Sequence, residues 1–392
     1  MAIEALLLAA AVTLVLLALH PFTTYPLSLL LLKRLRRRPP ASRGEAPGAP
    51  SFTICMCAYN EEKVIRHKAL NLLELKAREP TLQILVYVDA ATDRTADILR
   101  EYEPHIDVHV ATSRRGKTYG MNLLASRARG SILVFTDANV MLDENCLDAL
   151  RQDFADPSVG CVCGNLIYTN AGDSVTAATG SLYWRLEERI KVLEQETGSV
   201  MGADGSLFAV RRSLHRAPPE HIIDDMYVSF MVLVQGYRII QSRHARAYEA
   251  SATSSSEEFR RKSRIACQAF NVHRLIWPHI RKLGALTVYQ YVSHKLLRWL
   301  SIYFLAAGAL ALIAAFAASG SIGMAGLLLA CMALAYVLGA RYSIPPFSQL
   351  VDVVSSLAGA GLGVWHSLRG ESYQTWTPAA SVRSDGRQCE RA

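Results

Sequence analysis

The chain has 392 residues, 51% of them apolar, and 42 Lys and Arg against 34 Asp and Glu, a net charge of +8. That length is enough for two or three ordinary units, and the apolar share is high for a soluble protein. The cysteines, Cys55, Cys57, Cys146, Cys161, Cys163, Cys267, Cys331 and Cys389, form no CxxC pair, which argues against a metal cluster and for buried thiols in a reducing compartment.

In chain order, residues 1–33 read as an N-terminal transmembrane helix, apolar over 5–32 and long enough to cross a bilayer with tilt. The basic cluster Lys33, Arg34, Arg36, Arg37 and Arg38 follows that segment. By the positive-inside bias it puts the chain from residue 33 onward in the cytoplasm, against anionic headgroups rather than nucleic acid. Residues 34–50 form a basic, Pro-rich linker. Residues 51–254 alternate short apolar strands with helices, the pattern of a mostly parallel sheet. Strands are expected over 53–57, 83–88, 107–110 and 132–135, with helices over 61–76, 93–101 and 117–128. After a strand at 160–163 the alternation loosens. A long helix over 177–196, a strand over 206–210 and a helix over 226–235 follow.

Residues 255–295 are basic and amphipathic, a pattern that fits helices lying in the membrane interface. There Phe259, Ala266, Phe270 and Trp277 share one face, with Arg260, Arg261 and Arg264 on the other. Residues 296–368 form the C-terminal transmembrane region, with spans at 296–318 and 322–338. Residues 349–368, which include Asp352, form a third span or an interfacial segment. Residues 369–392 are a polar tail.

Polar groups gather where the strands end. A strand that carries a carboxylate to its carboxyl end places it in the crevice where open α/β sheets bind ligands. The first strand runs into Tyr59-Asn60-Glu61, with Asn60 expected to cap the next helix and Glu61 to sit in its first turn. The second ends in Asp89, with Asp93 a cap for the helix beyond. Lys117, after Gly116, follows the third, where a lysine reaches a phosphate. The fourth ends in Asp137-Ala138-Asn139, two oxygen ligands on one turn, which suits a hard divalent cation. Asp224 and Asp225 open a later helix side by side, and such a pair resists double ionisation, raising one pKa.

Taken in order, Tyr59-Asn60-Glu61, Asp89 with Asp93, Gly116-Lys117 and Asp137-Ala138-Asn139 resemble the nucleotide-sugar half of the family-2 glycosyltransferases. These include the cellulose, chitin, hyaluronan and poly-N-acetylglucosamine synthases. Gly202-Ala203-Asp204-Gly205, with Arg211 after it, resembles their acceptor-site turn. Ile223-Asp224-Asp225 resembles the motif whose second acid is the catalytic base. Arg261-Lys262-Ser263-Arg264 resembles their Gln/Arg-x-x-Arg-Trp motif. His294-Lys295 and Arg298 precede a span as in those synthases, and Trp376-Thr377-Pro378 resembles their Trp-x-Pro. The resemblance runs from about residue 52 to 378 and departs in two places: Asn139 replaces the usual Asp, and Ile265 stands where Trp is frequent.

The resemblance implies a GT-A fold, α/β and Rossmann-like, on the cytoplasmic face of the cell membrane. It assigns Asn60, Glu61, Asp89, Lys117, Asp137, Arg261 and Arg264 to the donor, a nucleotide sugar, with UDP the expected nucleotide. Ala203, Asp204, Gly205 and Trp376 are assigned to the acceptor, and Asp225 is the base with Asp224 in support. Asp137 and Asn139 are assigned to Mg²⁺ or Mn²⁺. The implied reaction is inverting, metal-dependent extension of a β-linked polysaccharide. Three or four spans leave little wall for a channel, so an oligomer, or a single transfer to a lipid acceptor such as a polyprenyl phosphate or membrane lipid, is the other expectation. A nucleotide-sugar-binding protein without turnover is a third, motivated by Asn139. Membrane lipids are expected partners and nucleic acid is not.

Overall fold

Long apolar runs become helices at both ends of the chain, and strand-forming runs build a sheet between them. The computed structural model describes residues 2–35, 49–170, 175–250 and 254–376. The expectations for Arg36, Arg37 and Arg38, most of the linker, Pro378, Cys389 and the tail past residue 376 lie outside them.

The single N-terminal span expected is present, but it ends at Phe22 rather than near residue 33. Helix α1 (Ala2–Leu19) stops in a 3₁₀ turn, His20–Phe22, and α2 (Thr24–Leu35) restarts beyond it. Pro21 within the turn has no N–H for a helical bond, which explains the break. Helix α2 then turns onto the sheet domain.

The alternating region follows the expected order: β1 (Phe52–Ala58), α3 (Ile65–Arg78), β2 (Gln83–Val88), α4 (Thr95–Arg100), β3 (Asp107–Val110), α5 (Lys117–Arg127) and β4 (Ile132–Asp137). It continues through β5 (Met141–Leu142), α6 (Cys146–Asp153), β6 (Val159–Tyr168), α7 (Val175–Thr197), β7 (Leu207–Arg211), α8 (Asp224–Val234) and β8 (Arg238–Glu249). All eight strands form one sheet in the order β3-β2-β1-β4-β7-β6-β8-β5. The β3-β2-β1-β4 half is parallel, and β7 enters antiparallel beside β4. Strand β1 is buried along its whole length, as a central strand under helices on both faces must be. One core lies on each face. Ile54, Met56, Ile84 and Val134 pack under α3 and α6, while Cys55, Leu85, Phe135 and Phe208 pack under α5 and α8. Strand β8 was not anticipated; its sequence, Arg-Ile-Ile-Gln-Ser-Arg-His-Ala-Arg-Ala-Tyr-Glu, has no continuous apolar block.

Beyond the sheet come α9 (Ser255–Ile280), α10 (Ala285–Tyr291), a π turn at Val292–Leu296, α11 (Leu297–Ala318), α12 (Ile322–Ala340) and α13 (Phe347–Leu368). Among the described residues four segments are long and apolar enough to cross a membrane: Ala2–Phe22, Ala285–Ala318, Ile322–Ala340 and Phe347–Leu368. The weak third C-terminal segment is thus a continuous helix of spanning length. It is weak in hydropathy because it is a packing helix. Small residues let helices approach closely in lipid, and a Cβ built on Gly363 would lie 2.3 Å from the Ser263 carbonyl oxygen of α9. Gly363→Val should therefore push α9 and α13 apart, at about 1–3 kcal/mol for overpacking. The melting temperature in detergent should fall, whereas Gly326→Val in α12, with nothing within 4 Å of its Cβ position, should leave it unchanged.

Helix α7 ties the sheet to the membrane bundle. Glu194 accepts from Tyr25 Oη of α2 at 2.5 Å, contacts His294 Nδ1 of the π turn at 2.6 Å and accepts from the Met201 N–H at 2.9 Å. One turn earlier in the chain direction lies Lys191, and two turns earlier Glu187, which pairs with Arg298 and lies 3.0 Å from His294 Nε2. The run His294, Lys295 and Arg298 is thus spent on this buried network.

Candidate active site

Register brings the strand ends level. Ala58 pairs with Val88 and Cys57 with Asp137, so β1, β2 and β4 finish at one edge. Antiparallel β7 pairs Leu207 with Thr136 and so begins at that same edge. Asn60, Asp89, Asp137 and the turn before β7 therefore share one crevice, and the start of α8 adds Asp224 and Asp225.

Lys117 Nζ meets Asp137 Oδ1 at 2.6 Å. Gly205 sits against this pair: a Cβ there would lie 3.0 Å from Lys117 Nζ, 3.0 Å from Asp225 Oδ2 and 3.9 Å from Asp137 Oδ2. Burial alone would lower the Lys117 pKa, but Asp137, Asp224 and Asp225 outweigh it and hold the ammonium above its ordinary value. Burial, with the adjacent Asp224 charge, pushes the Asp225 carboxyl up to about 7, against the opposing pull of Lys117. Asp225 Oδ1 accepts the Met226 N–H at 2.5 Å. Asp224 is 2% exposed, and neither of its carboxylate oxygens has a hydrogen-bond partner among the described residues. A helix-capping role would require such a bond, so Asp224 is not a cap.

The donor-side expectations are placed as follows. Asn60 does not cap α3, whose N-cap is Val64. It adopts φ 53°, a conformation that asparagine tolerates, and its Oδ1 accepts the Thr92 N–H at 2.9 Å. Glu61 is buried in the turn before α3, its N–H bonded to Thr95 Oγ1 at 2.8 Å. Asp93 accepts from Thr95 N–H at 3.0 Å and from Glu62 N–H at 3.0 Å, stapling the two loops. Asp89 is fully buried and accepts from the Arg115 N–H at 2.7 Å and the Gly116 N–H at 3.1 Å. It shapes the turn that delivers Lys117. Trp376, expected on the acceptor side, lies beside Tyr59 and Arg114. Its ring centroid is 6.0 Å from that of Tyr59, and its carbonyl accepts from Arg114 Nη2 at 2.6 Å. The Arg114 guanidinium lies 3.5 Å over the Tyr59 ring. Residues 371–376 thus run as a strap from α9, where Gln268 Nε2 donates to the Tyr373 carbonyl at 2.7 Å, to Arg115, whose carbonyl accepts from Gln374 Nε2 at 3.2 Å.

The Asp137–Asn139 turn is braced from behind. Buried Lys68 donates to the Val140 carbonyl, and Asn71 exchanges two bonds with Leu142, at 2.8 and 2.9 Å. Burial lowers the Lys68 pKa to about 7. Asn139 Nδ2 donates to Glu249 Oε1 at 2.9 Å. Among the described residues no group of three or more His, Cys, Asp or Glu side chains could by itself hold a metal ion. The turn supplies only hard oxygen donors, the Asp137 carboxylate and the Asn139 carbonyl. Such a set fits Mg²⁺ or Mn²⁺ when substrate phosphates complete the shell.

Of the residues expected to face the acceptor, Ala203 N–H donates to Ser229 Oγ at 3.0 Å, and Asp204 pairs with buried Lys191 at 2.8 Å. Arg211 bonds the Val159 carbonyl at 2.7 Å and the Phe154 carbonyl at 2.8 Å, a structural role. Of the arginines of α9, Arg260 is exposed as expected, but Arg261 and Arg264 are not on an open polar face. Arg264 is half-buried; burial and the neighbouring Arg261 charge lower its pKa, against the pull of Asp137 and Asp225. Arg261 pairs with Glu258 at 3.0 Å, and Glu258, Tyr168 and Glu249 hold its charge. Lys68, Lys191 and Glu249 escaped the sequence reading. None of the three lies in a motif, and β8, which carries Glu249, has no apolar block to mark its end.

Comparison with known proteins locates this arrangement. Residues 53–217 match the family described as Glycosyl transferase family 2. An O-antigen chain rhamnosyltransferase of Salmonella anatum is 22% identical over 221 residues, 54% of this chain and 70% of its own. An N-acetylglucosaminyltransferase of Rhizobium sp. (strain N33) is 22% identical over 206 residues, 48% of this chain and 46% of its own. The chain spans about half the length of most such relatives, among them two further N-acetylglucosaminyltransferases at 51% and 62%. A mannosyltransferase from Pyrobaculum calidifontis, solved with GDP-mannose and Mn²⁺, superposes with a TM-score of 0.69 at 22% identity. The match covers 93% of this chain and 99% of that one. This likeness shows the fold, GT-A with apolar helices.

Proposed function

We propose, from the family-2 glycosyltransferase domain that residues 53–217 form, that this enzyme moves a sugar from a nucleoside diphosphate to a growing β-linked saccharide at the membrane face. The observation that carries this is the meeting of Lys117, Asp137 and Asp225 around Gly205. It sets a cation and an acid where a diphosphate leaves, next to a base where an acceptor hydroxyl arrives.

In this reading Asp225 takes the proton from the acceptor hydroxyl as its oxygen attacks the anomeric carbon. Its raised pKa suits a base working near neutral pH. Attack from the face opposite the leaving group inverts the centre, so an α-linked donor yields a β-linked product. Lys117 and Arg264 stabilise charge on the departing diphosphate, and Tyr59 with Arg114 offers a flat surface for the base. Asp137 and Asn139 would hold a divalent cation, which would neutralise the leaving phosphates. Asp224 supports Asp225 through its charge. UDP is the expected nucleotide. The domain lies on the cytoplasmic face of the cell membrane, a topology motivated by the basic residues Lys33 and Arg34 that end α2. Protease added to right-side-out vesicles should spare the sheet domain, and cleavage within it would reverse the topology.

A second reading is favoured by the close packing of the helices. With α13 seated on α9 at Gly363 and α11 packed on both α1 and α13, one copy leaves little wall for a polymer channel. Single transfer to a lipid acceptor would need none. The deciding experiment offers UDP- and GDP-sugars to the detergent-purified protein with and without Mn²⁺. Release of nucleoside diphosphate tests the enzyme reading, and product size, a ladder or a single glycolipid, separates the acceptors. No release with any donor would sink both.

A further inference from the structure

We propose that Glu249, at the end of β8, is a positioning residue of the cation turn: it orients the Asn139 amide and supplies the negative charge that an asparagine at that position lacks. This rests on the reading of Asp137 and Asn139 as a cation site.

The first argument is chemical. An ionised carboxylate only accepts hydrogen bonds, so the Asn139 atom facing Glu249 Oε1 at 2.9 Å must be the amide nitrogen. The carbonyl oxygen of the same amide then points the other way. A hard cation binds that oxygen and not the NH₂ group. Without Glu249 the amide could present either end; with it, only the ligating end faces away from β8.

The second argument is charge. Of the two turn residues only Asp137 is ionised, and its Oδ1 is already matched by Lys117 at 2.6 Å. Glu249 brings a second carboxylate to the turn from across the sheet. Two negative charges are then present, as an Asp-x-Asp turn would have.

The third argument is register. The short strand β5 begins two residues after Asn139 and pairs antiparallel with β8, Met141 opposite Tyr248 and Leu142 opposite Ala247. Continuing that ladder by one residue brings Val140 to the level of Glu249, so Asn139, the next residue back, lies one position off and meets the Glu249 side chain diagonally. On its other side β8 is paired with β6, Glu249 opposite Tyr168, and the Glu249 carbonyl accepts the Thr169 N–H at 3.0 Å. Glu249 is therefore held by β6 on one side and lies next to the turn into β5 on the other. Arg261 of α9 adds its positive charge near the Glu249 carboxylate, so the interface helix reaches the turn through this residue.

The test is Mn²⁺ binding without turnover. The detergent-purified full chain, saturated with UDP and in a parallel series with GDP, is titrated with Mn²⁺, and the free ion is followed by electron paramagnetic resonance. Glu249→Gln keeps the shape and an acceptor for Asn139 but removes the charge. It should weaken Mn²⁺ binding by about 10–100-fold, the usual loss for an outer partner of a ligand. Asn139→Asp combined with Glu249→Gln moves the charge from β8 onto the turn and keeps a hydrogen bond between them. That double variant should recover most of the lost affinity. Parent-like Mn²⁺ binding by Glu249→Gln, with loss in Asp137→Ala, would overturn the role of Glu249 and leave the cation site standing. Weakening in Glu249→Gln without recovery in the double variant would also overturn it, since a fold defect is not repaired by moving a charge. Unchanged binding in Asp137→Ala would remove the cation site itself, and the proposal with it.

Discussion

Asp225→Asn should lower sugar transfer by about 10²–10⁴, the usual cost of losing a general base, with folding and nucleotide affinity kept. The asparagine retains the size of the side chain and an oxygen for the Met226 N–H, so the start of α8 should stay as it is. What it loses is a carboxylate within reach of the space beside Gly205. The pH profile gives a second readout. With the Asp225 pKa near 7, the base is protonated below that value, so transfer by the parent should fall as pH drops through about 7. The residual rate of Asp225→Asn should lack this limb. Asp224→Asn should cost less, because Asp224 acts on Asp225 by charge alone; removing that charge should move the acidic limb to lower pH. Turnover and nucleotide affinity measured on both variants decide the matter. If Asp224→Asn is inactive and Asp225→Asn is active, the roles within the pair are exchanged.

Asp137→Ala should be the other severe variant. It deletes a charged oxygen from the turn and leaves Lys117 without the carboxylate that it meets at 2.6 Å. Losing one electrostatic group of this kind costs about 10²–10³ in rate. A further effect follows from the crowding around Gly205. Lys117 is also held by Asp224 and Asp225, so without Asp137 it should turn toward them. A closer ammonium favours the ionised base and weakens it, and the acidic limb should shift below the parent's. Diphosphate release across a Mn²⁺ series and a pH series measures both effects. Parent-like turnover and nucleotide binding in Mn²⁺ would refute the placement of the donor site.

The parts of this site that could be read from sequence share one physical cause. Strands β1, β2 and β4 are buried, so they read as apolar runs, and the first charged or polar residue after each run marks the ligand edge. Asp89 and Asp137 were visible for that reason. Asp225 was visible because paired acids directly after Ile222-Ile223 break an apolar segment. The fold class followed from the spacing of the elements. What escaped depends on pairing across the chain. Strand β8 alternates arginine with alanine over its second half and carries no apolar block, so neither it nor Glu249 stood out. The antiparallel entry of β7, which brings Gly205 to the site, has no local signature. Asn60 looked like a helix cap because cap residues and loop-bridging residues have the same composition; only the bond to Thr92, 32 positions away, separates them. Helical periodicity placed Arg260, Arg261 and Arg264 of α9 on an outer face; Arg260 is exposed there, but Arg261 and Arg264 are half-buried, with Glu258 and Glu249 beside Arg261.

The seam between α9 and α13, with the strap that follows it, bears on how the enzyme is made. The ribosome releases the sheet first, and domains generally begin folding in that order, at about 5–20 residues per second. Yet Arg264 is carried by a helix whose packing partner, α13, is synthesised some 80 residues later. Residues 371–376, which link α9 to the Arg115 turn, emerge later still. A nascent chain can therefore have β1, β2 and β4 in place while α9 still lacks the helix it packs against. Packing of α13 onto α9, rather than completion of the sheet, is the step that fixes the helix carrying Arg264.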